Sequence, residues 1–237
     1  MTQPTLLPRP DHIAELTRGI ARLPLPPLDE EHIRIVFETI VDVWKYLQAK
    51  YAAALAGKSE TEINDLMASA LKTRIDEDPL FRLTATAVAR DASELSYDGT
   101  HLDKKPDLSI QLTQEGARFP LTVECKLIDA PNKKKTQMYC DNGVRRHVAG
   151  EYAWARQEAL MLGYVRDGSS IAGKLTPALK KAKDKQPDPY ATLALPEPQD
   201  FQTDVARSRH GRDFKYISAP AKGDPPGPID LWHVWVS

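Results

Sequence analysis

The stretch KPDLSIQLTQEGARFPLTVECKLID, Lys105 to Asp129, limits the fold more than any other part of the chain. Two segments in it alternate with the period of two that a strand requires. Leu108, Ile110 and Leu112 mark one side of the first; Leu121, Val123, Cys125 and Leu127 mark one side of the second. The connection QEGAR is short and contains Gly116, which predicts an antiparallel hairpin of two half-buried strands. With the turn centred near Gly116, facing residues have numbers that sum to about 232, and even positions oppose odd ones if the apolar sets share a face. Asp107 then faces Glu124 or Lys126, and the three charges meet on the side away from the core.

Such a cluster has a chemical use. Two carboxylates held close together repel unless a cation sits between them, and hard oxygen ligands suit Mg²⁺ or Mn²⁺. A bound ion polarises a phosphoryl oxygen and acidifies its water, while a neighbouring lysine orients that water and stabilises the developing charge. These residue types therefore point to phosphodiester hydrolysis. The alternative for the same residues is a surface ion pair on a solvated sheet face.

The flanking sequence predicts helices and further strands. Pro4, Pro8, Pro10, Pro24, Pro26 and Pro27 make residues 1–28 an arm with room only for a short helix around Asp11 to Arg22. From Asp29, the residues Ile33, Val36, Phe37, Ile40, Val43, Trp44 and Leu47 trace one face of a helix reaching about Ala56. Gly57 ends it, Ser59 caps a second helix, and Ile63, Leu66, Met67, Ala70 and Leu71 mark that helix's apolar face. PLFRLTATAVARD alternates as a strand. Beyond the hairpin the expectation is a lysine-rich loop, a helix from about Ala149 to Leu160, a strand near Leu162 to Val165, a basic helix over Lys174 to Lys185, a Pro-rich link, and a final strand in IDLWHVWV.

Pro106-Asp107 followed by Glu124-Cys125-Lys126, with an acid on the helix upstream, resembles the PD-(D/E)xK nuclease superfamily over about residues 59 to 166. The resemblance implies an α/β restriction-endonuclease-like core, a mixed central sheet flanked by helices, in one nuclease domain spanning 29–237 with a C-terminal extension from 167. It implies that Asp107 and Glu124 bind Mg²⁺ or Mn²⁺, that Lys126 acts on the nucleophilic water, and that a helix acid completes the site. Glu62 is the expected helix acid, with Glu60 as the other choice. The segment DNGVRRHVAGEYAWARQEALMLGYV, and SRH followed by PIDLWHVWV, are similar to parts of prokaryotic nucleases linked to phage defence. A DNA endonuclease of bacterial defence or restriction is the function implied. A non-catalytic DNA-binding or scaffold subunit, and a junction-resolvase-like enzyme, are the alternatives.

Other features set limits. The 237 residues are 27% charged with a net charge of −1, so any nucleic-acid surface must be local. Lys133, Lys134 and Lys135, with Gln137, Arg145, Arg146 and His147, are the candidates for phosphate contact, with Tyr139 in a supporting role; a solvated loop is the other reading. In SRHGR, His210 is more simply a structural hydrogen-bonder. Two cysteines, Cys125 and Cys140, form no disulfide framework or metal spacing, which fits a reducing compartment. No apolar run approaches the roughly 20 residues of a membrane span and the N-terminus lacks signal-peptide features, so a cytoplasmic protein is expected. There is no GxxxxGK[ST], so any ATP-driven step needs a partner, and cutting both strands favours a homodimer or larger complex.

Overall fold

The computed structural model describes residues 10–20, 22–99, 104–113, 118–201 and 204–237. The expected hairpin turn at 114–117 lies outside them. Seven strands form one mixed sheet in the order β1-β2-β3-β4-β7-β6-β5. They span Ala85–Arg90 (β1), Leu108–Leu112 (β2), Leu121–Ile128 (β3), Glu158–Val165 (β4), Thr192–Pro198 (β5), Asp204–His210 (β6) and Ile229–Val236 (β7). β3, β4 and β7 run parallel in the middle, while β1–β2–β3 and β7–β6–β5 are antiparallel.

The first helices follow the sequence pattern closely. After the short α1 (Pro10–Leu16), α2 spans Glu30–Leu55, and the Asp29 side chain caps it by accepting from the Glu31 N–H. Its buried stripe includes Phe37 and Ile40, fully inaccessible, each contributing on the order of 1.5–3 kcal/mol. α3 (Glu60–Glu77) starts in a reciprocal capping box between Ser59 and Glu62. These helices cover one face of the sheet, packing on Leu108, Ile110, Val123, Leu160 and Val234.

Three expectations need correction. Residues 79–84 form a helical turn, α4 (Pro79–Thr84), because Asp78 caps it through the Leu80 and Phe81 N–H groups and Pro79 suits a first turn; the strand begins only at Ala85. The helix expected at 149–160 lies earlier, as α5 (Thr136–Tyr139), a π turn (Cys140–Val144) and α6 (Arg145–Val148). Residues 149–157 form turns, and the apolar run that mimicked a helix is instead the buried strand β4. β2 and β3 are almost wholly buried and not half-buried, since α5, α6 and α7 (Thr176–Lys183) cover the second face of the sheet over Met161, Ala206, Leu231 and Trp235.

The sequence pattern missed β5 and β6, and residues 167–237 add three strands to the sheet, with β7 beside β4 in its interior. Ile13 and Leu23 pack with Trp154, Phe214 and Tyr216, and the Leu25 N–H donates to the Ala155 carbonyl at 2.8 Å.

Candidate functional site

The hairpin register is Leu108↔Val123, Ser109↔Thr122 and Ile110↔Leu121, so even positions oppose odd ones. β2 pairing stops at Val123, but β3 runs on to Ile128. The N–H groups of Cys125 and Leu127 on that open edge must find other acceptors. Carboxylates supply them: Asp107 Oδ2 accepts from Cys125 N at 2.8 Å, and Glu60 Oε2 accepts from Leu127 N at 2.7 Å. The acids are therefore fixed where the two strands part.

Lys126 fills the space between them. Its Nζ lies 2.8 Å from Glu124 Oε1, 3.3 Å from Glu60 Oε1 and 3.4 Å from Asp107 Oδ2, and it donates to the Cys125 carbonyl at 2.6 Å. Burial opposes its charge, yet Glu124, Asp107 and Glu60 together hold the ammonium above its ordinary range. Glu124, 1% exposed, is pushed up to about 7 by burial, with Lys126 opposing and Asp107 reinforcing the shift. Its Oε1 also accepts from Arg146 Nη1 at 3.0 Å, while Oε2 is buried and has no hydrogen-bond partner among the described residues.

Behind Asp107 stands a relay that the sequence pattern did not reveal. The buried Tyr164 hydroxyl donates to Asn64 Oδ1 at 2.9 Å, and Asn64 Nδ2 donates to Asp107 Oδ1 at 3.0 Å. Asn64 lies on α3 four residues after Glu60, so both project from one side of the helix. Asn64 beside Ile63 on an apolar face was the available signal.

Of the expected site residues, Asp107, Glu124 and Lys126 come together, and Glu62 does not join them. Glu62 accepts from the Ser59 N–H and hydroxyl and pairs with Lys58 on the exposed start of α3; Glu60 is the helix acid at the cluster. Arg146 belongs to the cluster as a carboxylate partner, and it also donates to the Tyr152 hydroxyl at 2.9 Å. Lys134 joins Glu60, Lys126, Met138, Asn142 and Arg146 around a cavity of ≈ 310 Å³. Lys133, Lys135 and Arg145 are exposed. Gln137 is taken up by Asp141 and the Tyr190 hydroxyl, and Tyr139 is buried with its hydroxyl on the Met161 carbonyl and His233. His147 and His210 are fully buried, out of reach of a phosphate, and both cysteines are buried and free.

Among the described residues no group of three or more His, Cys, Asp or Glu side chains is arranged to hold a metal ion. The donor types present, carboxylate and carbonyl oxygens, are those that a hard divalent cation takes. Asp107, Glu124 and the Cys125 carbonyl already crowd one ammonium, and Glu124 Oε2 has a free buried oxygen to offer. No protein-family model matches the chain, and neither characterised proteins nor solved structures give a match. No helix among the described residues is long and apolar enough to cross a membrane.

Proposed function

We propose that the protein is a metal-dependent nuclease of the PD-(D/E)xK type with a restriction-endonuclease-like core, and that it hydrolyses phosphodiester bonds in DNA. The observation that carries this reading is the convergence of Asp107, Glu124, Lys126 and Glu60 where β2 leaves β3. The order α3, β1, β2, β3, α5–α6 and β4, with β4 parallel to β3, supports it.

Asp107 and Glu124 would hold the Mg²⁺ or Mn²⁺ ion, which when bound supplies Lewis-acid polarisation and an acidified water. Asn64 and the Cys125 N–H keep the Asp107 carboxylate oriented. Lys126, held above its ordinary range by Glu124, Asp107 and Glu60 against its burial, is placed to donate to the attacking water and to the phosphoryl oxygens. Arg146, released from Glu124, and Lys134 offer cationic contacts to the strand at the cavity. A place in bacterial phage defence or restriction is the biological setting we infer.

The test is incubation with supercoiled plasmid, linear duplex and single-stranded DNA in Mg²⁺, Mn²⁺ or EDTA, beside Asp107→Ala and Lys126→Gln. Metal-dependent cleavage lost in both variants is expected. Lys126 and Arg146 already neutralise Glu124, which is also what a non-catalytic DNA-binding subunit would carry. Absence of cleavage together with absence of Mn²⁺ binding would favour that subunit.

A further inference from the structure

Glu124 Oε1 is shared by two cations, Lys126 Nζ at 2.8 Å and Arg146 Nη1 at 3.0 Å. A divalent ion on Glu124 would meet both of them, and like charges this close repel. One of the two must give way. Lys126 is the fixed one: its side chain is 13% exposed, and its ammonium also reaches Glu60, Asp107 and the Cys125 carbonyl. Arg146 is the looser one. Its side chain is 36% exposed, and its remaining carboxylate neighbour among the described residues, Glu151, stands at 3.9 Å.

The local fold sets Arg146 between two destinations. The π turn over Cys140–Val144 brings α6 down on β3, and it needs Gly143: a Cβ there would collide with the Met161 side chain and lie 3.7 Å from Glu124 Cγ. From α6 the Arg146 guanidinium lies over the Tyr152 ring at 5.7 Å, and Nη1 donates to the Tyr152 hydroxyl at 2.9 Å. That hydroxyl is itself fixed by donating to the Lys105 carbonyl at 3.1 Å, so the arm keeps an anchor when Glu124 lets go. The same side chain lines the ≈ 310 Å³ cavity together with Lys126, Lys134 and Asn142. A planar fork of N–H donors beside lysines is a receptor for phosphate.

Resting on the nuclease reading, we propose that Arg146 is a switch that couples metal to substrate. Without metal it neutralises Glu124; when Glu124 turns to a divalent ion, it passes to a phosphate of the nucleic-acid strand in the cavity. Each ligand then prepares the protein for the other. Metal on Glu124 frees the guanidinium for phosphate, and phosphate on Arg146 frees Glu124 for metal, so by linkage each raises the other's affinity by the same factor. The metal-free protein holds its phosphate receptor back.

Calorimetric titration of Mn²⁺ into the full chain, with and without a saturating single-stranded oligonucleotide of about 12 nucleotides, measures that factor. Phosphorothioate linkages keep the oligonucleotide's backbone charge and resist hydrolysis. In the wild type the oligonucleotide should tighten Mn²⁺ about tenfold, and Mn²⁺ should tighten the labelled oligonucleotide equally in fluorescence anisotropy. Arg146→Gln should bind Mn²⁺ alone about threefold tighter than the wild type, because Glu124 is released. Its coupling should shrink to within about twofold. Lys134→Gln removes a cavity cation that has no ion pair with Glu124, so it should weaken the oligonucleotide and keep the full coupling. Coupling that survives in Arg146→Gln, or that falls as far in Lys134→Gln, overturns the switch. Failure of the wild type to bind Mn²⁺ or the oligonucleotide overturns the nuclease reading as well, whereas binding of both without coupling overturns this proposal alone.

Discussion

Where β3 runs past β2, four charged side chains surround a cavity of ≈ 310 Å³, and a buried Glu124 oxygen has no partner among the described residues. Across β6 and β7 a neutral chain runs from the Tyr139 hydroxyl to His233 Nδ1 at 2.9 Å. From His233 Nε2 it passes to Ser208 Oγ at 2.7 Å, to His210 Nε2 at 2.7 Å, and from His210 Nδ1 to the Tyr190 carbonyl at 2.8 Å. Both clusters contain residue types used in catalysis. Every member of the second is matched and sealed from solvent, so it rigidifies the sheet; the first leaves one buried carboxylate oxygen, Glu124 Oε2, without a partner among the described residues, and Glu60, Lys126 and Arg146 beside it line a cavity.

The largest effect that would break this contrast concerns chemistry. Lys126→Gln should lower metal-dependent cleavage about 10²–10⁴-fold, read from initial plasmid nicking rates, with the fold retained by circular dichroism. Ser208→Ala should leave the nicking rate within about twofold and cost about 2–4 kcal/mol in urea unfolding, because two buried imidazole nitrogens lose their shared partner. Reversal of these two outcomes would exchange the roles of the two clusters.

How much of this was legible depended on whether the signal was local. The parity that puts Asp107 opposite Glu124 or Lys126 follows from period-two patterning, and the structure has that parity. SETE was legible too: a serine followed three residues later by glutamate is a capping box, which occupies Glu62 and leaves Glu60 for the site. Asn64, Tyr164 and Arg146 were harder to see, because their partners lie 43, 100 and 22 residues away in the chain. β5 and β6 escaped because Pro196, Pro198 and the charges of DVARSRH disguise strands whose place in the sheet is set by pairing with β7.

A third experiment sharpens the contrast through protons. Burial, only partly offset by the Tyr190 carbonyl, holds His210 neutral with its value pushed down to about 4, so the unfolded chain takes up the proton first. The stability of the wild type relative to His210→Gln should therefore be intact above about pH 6.5 and fall as pH drops toward 4, by up to about 1.4 kcal/mol per unit. Urea midpoints of both proteins at several pH values would show it, and a constant difference would count against a buried neutral imidazole.

The smallest effects separate two neighbouring acids. Ser59→Ala should cost roughly 1 kcal/mol through the lost cap without slowing cleavage. Glu62→Gln should also leave the rate unchanged, whereas Glu60→Gln should slow it about tenfold or more through its loss beside Lys126. Equal effects of the two glutamine variants would remove Glu60 from the site.

Calorimetric titration of Mn²⁺ into the wild type, Asp107→Ala and Ser208→Ala tests the central claim most directly. The open cluster at β3 should bind the ion in the wild type and in Ser208→Ala, and binding should vanish in Asp107→Ala. Heats that are absent in all three, or unchanged by Asp107→Ala, would contradict the claim that this corner of the sheet is built for a divalent cation.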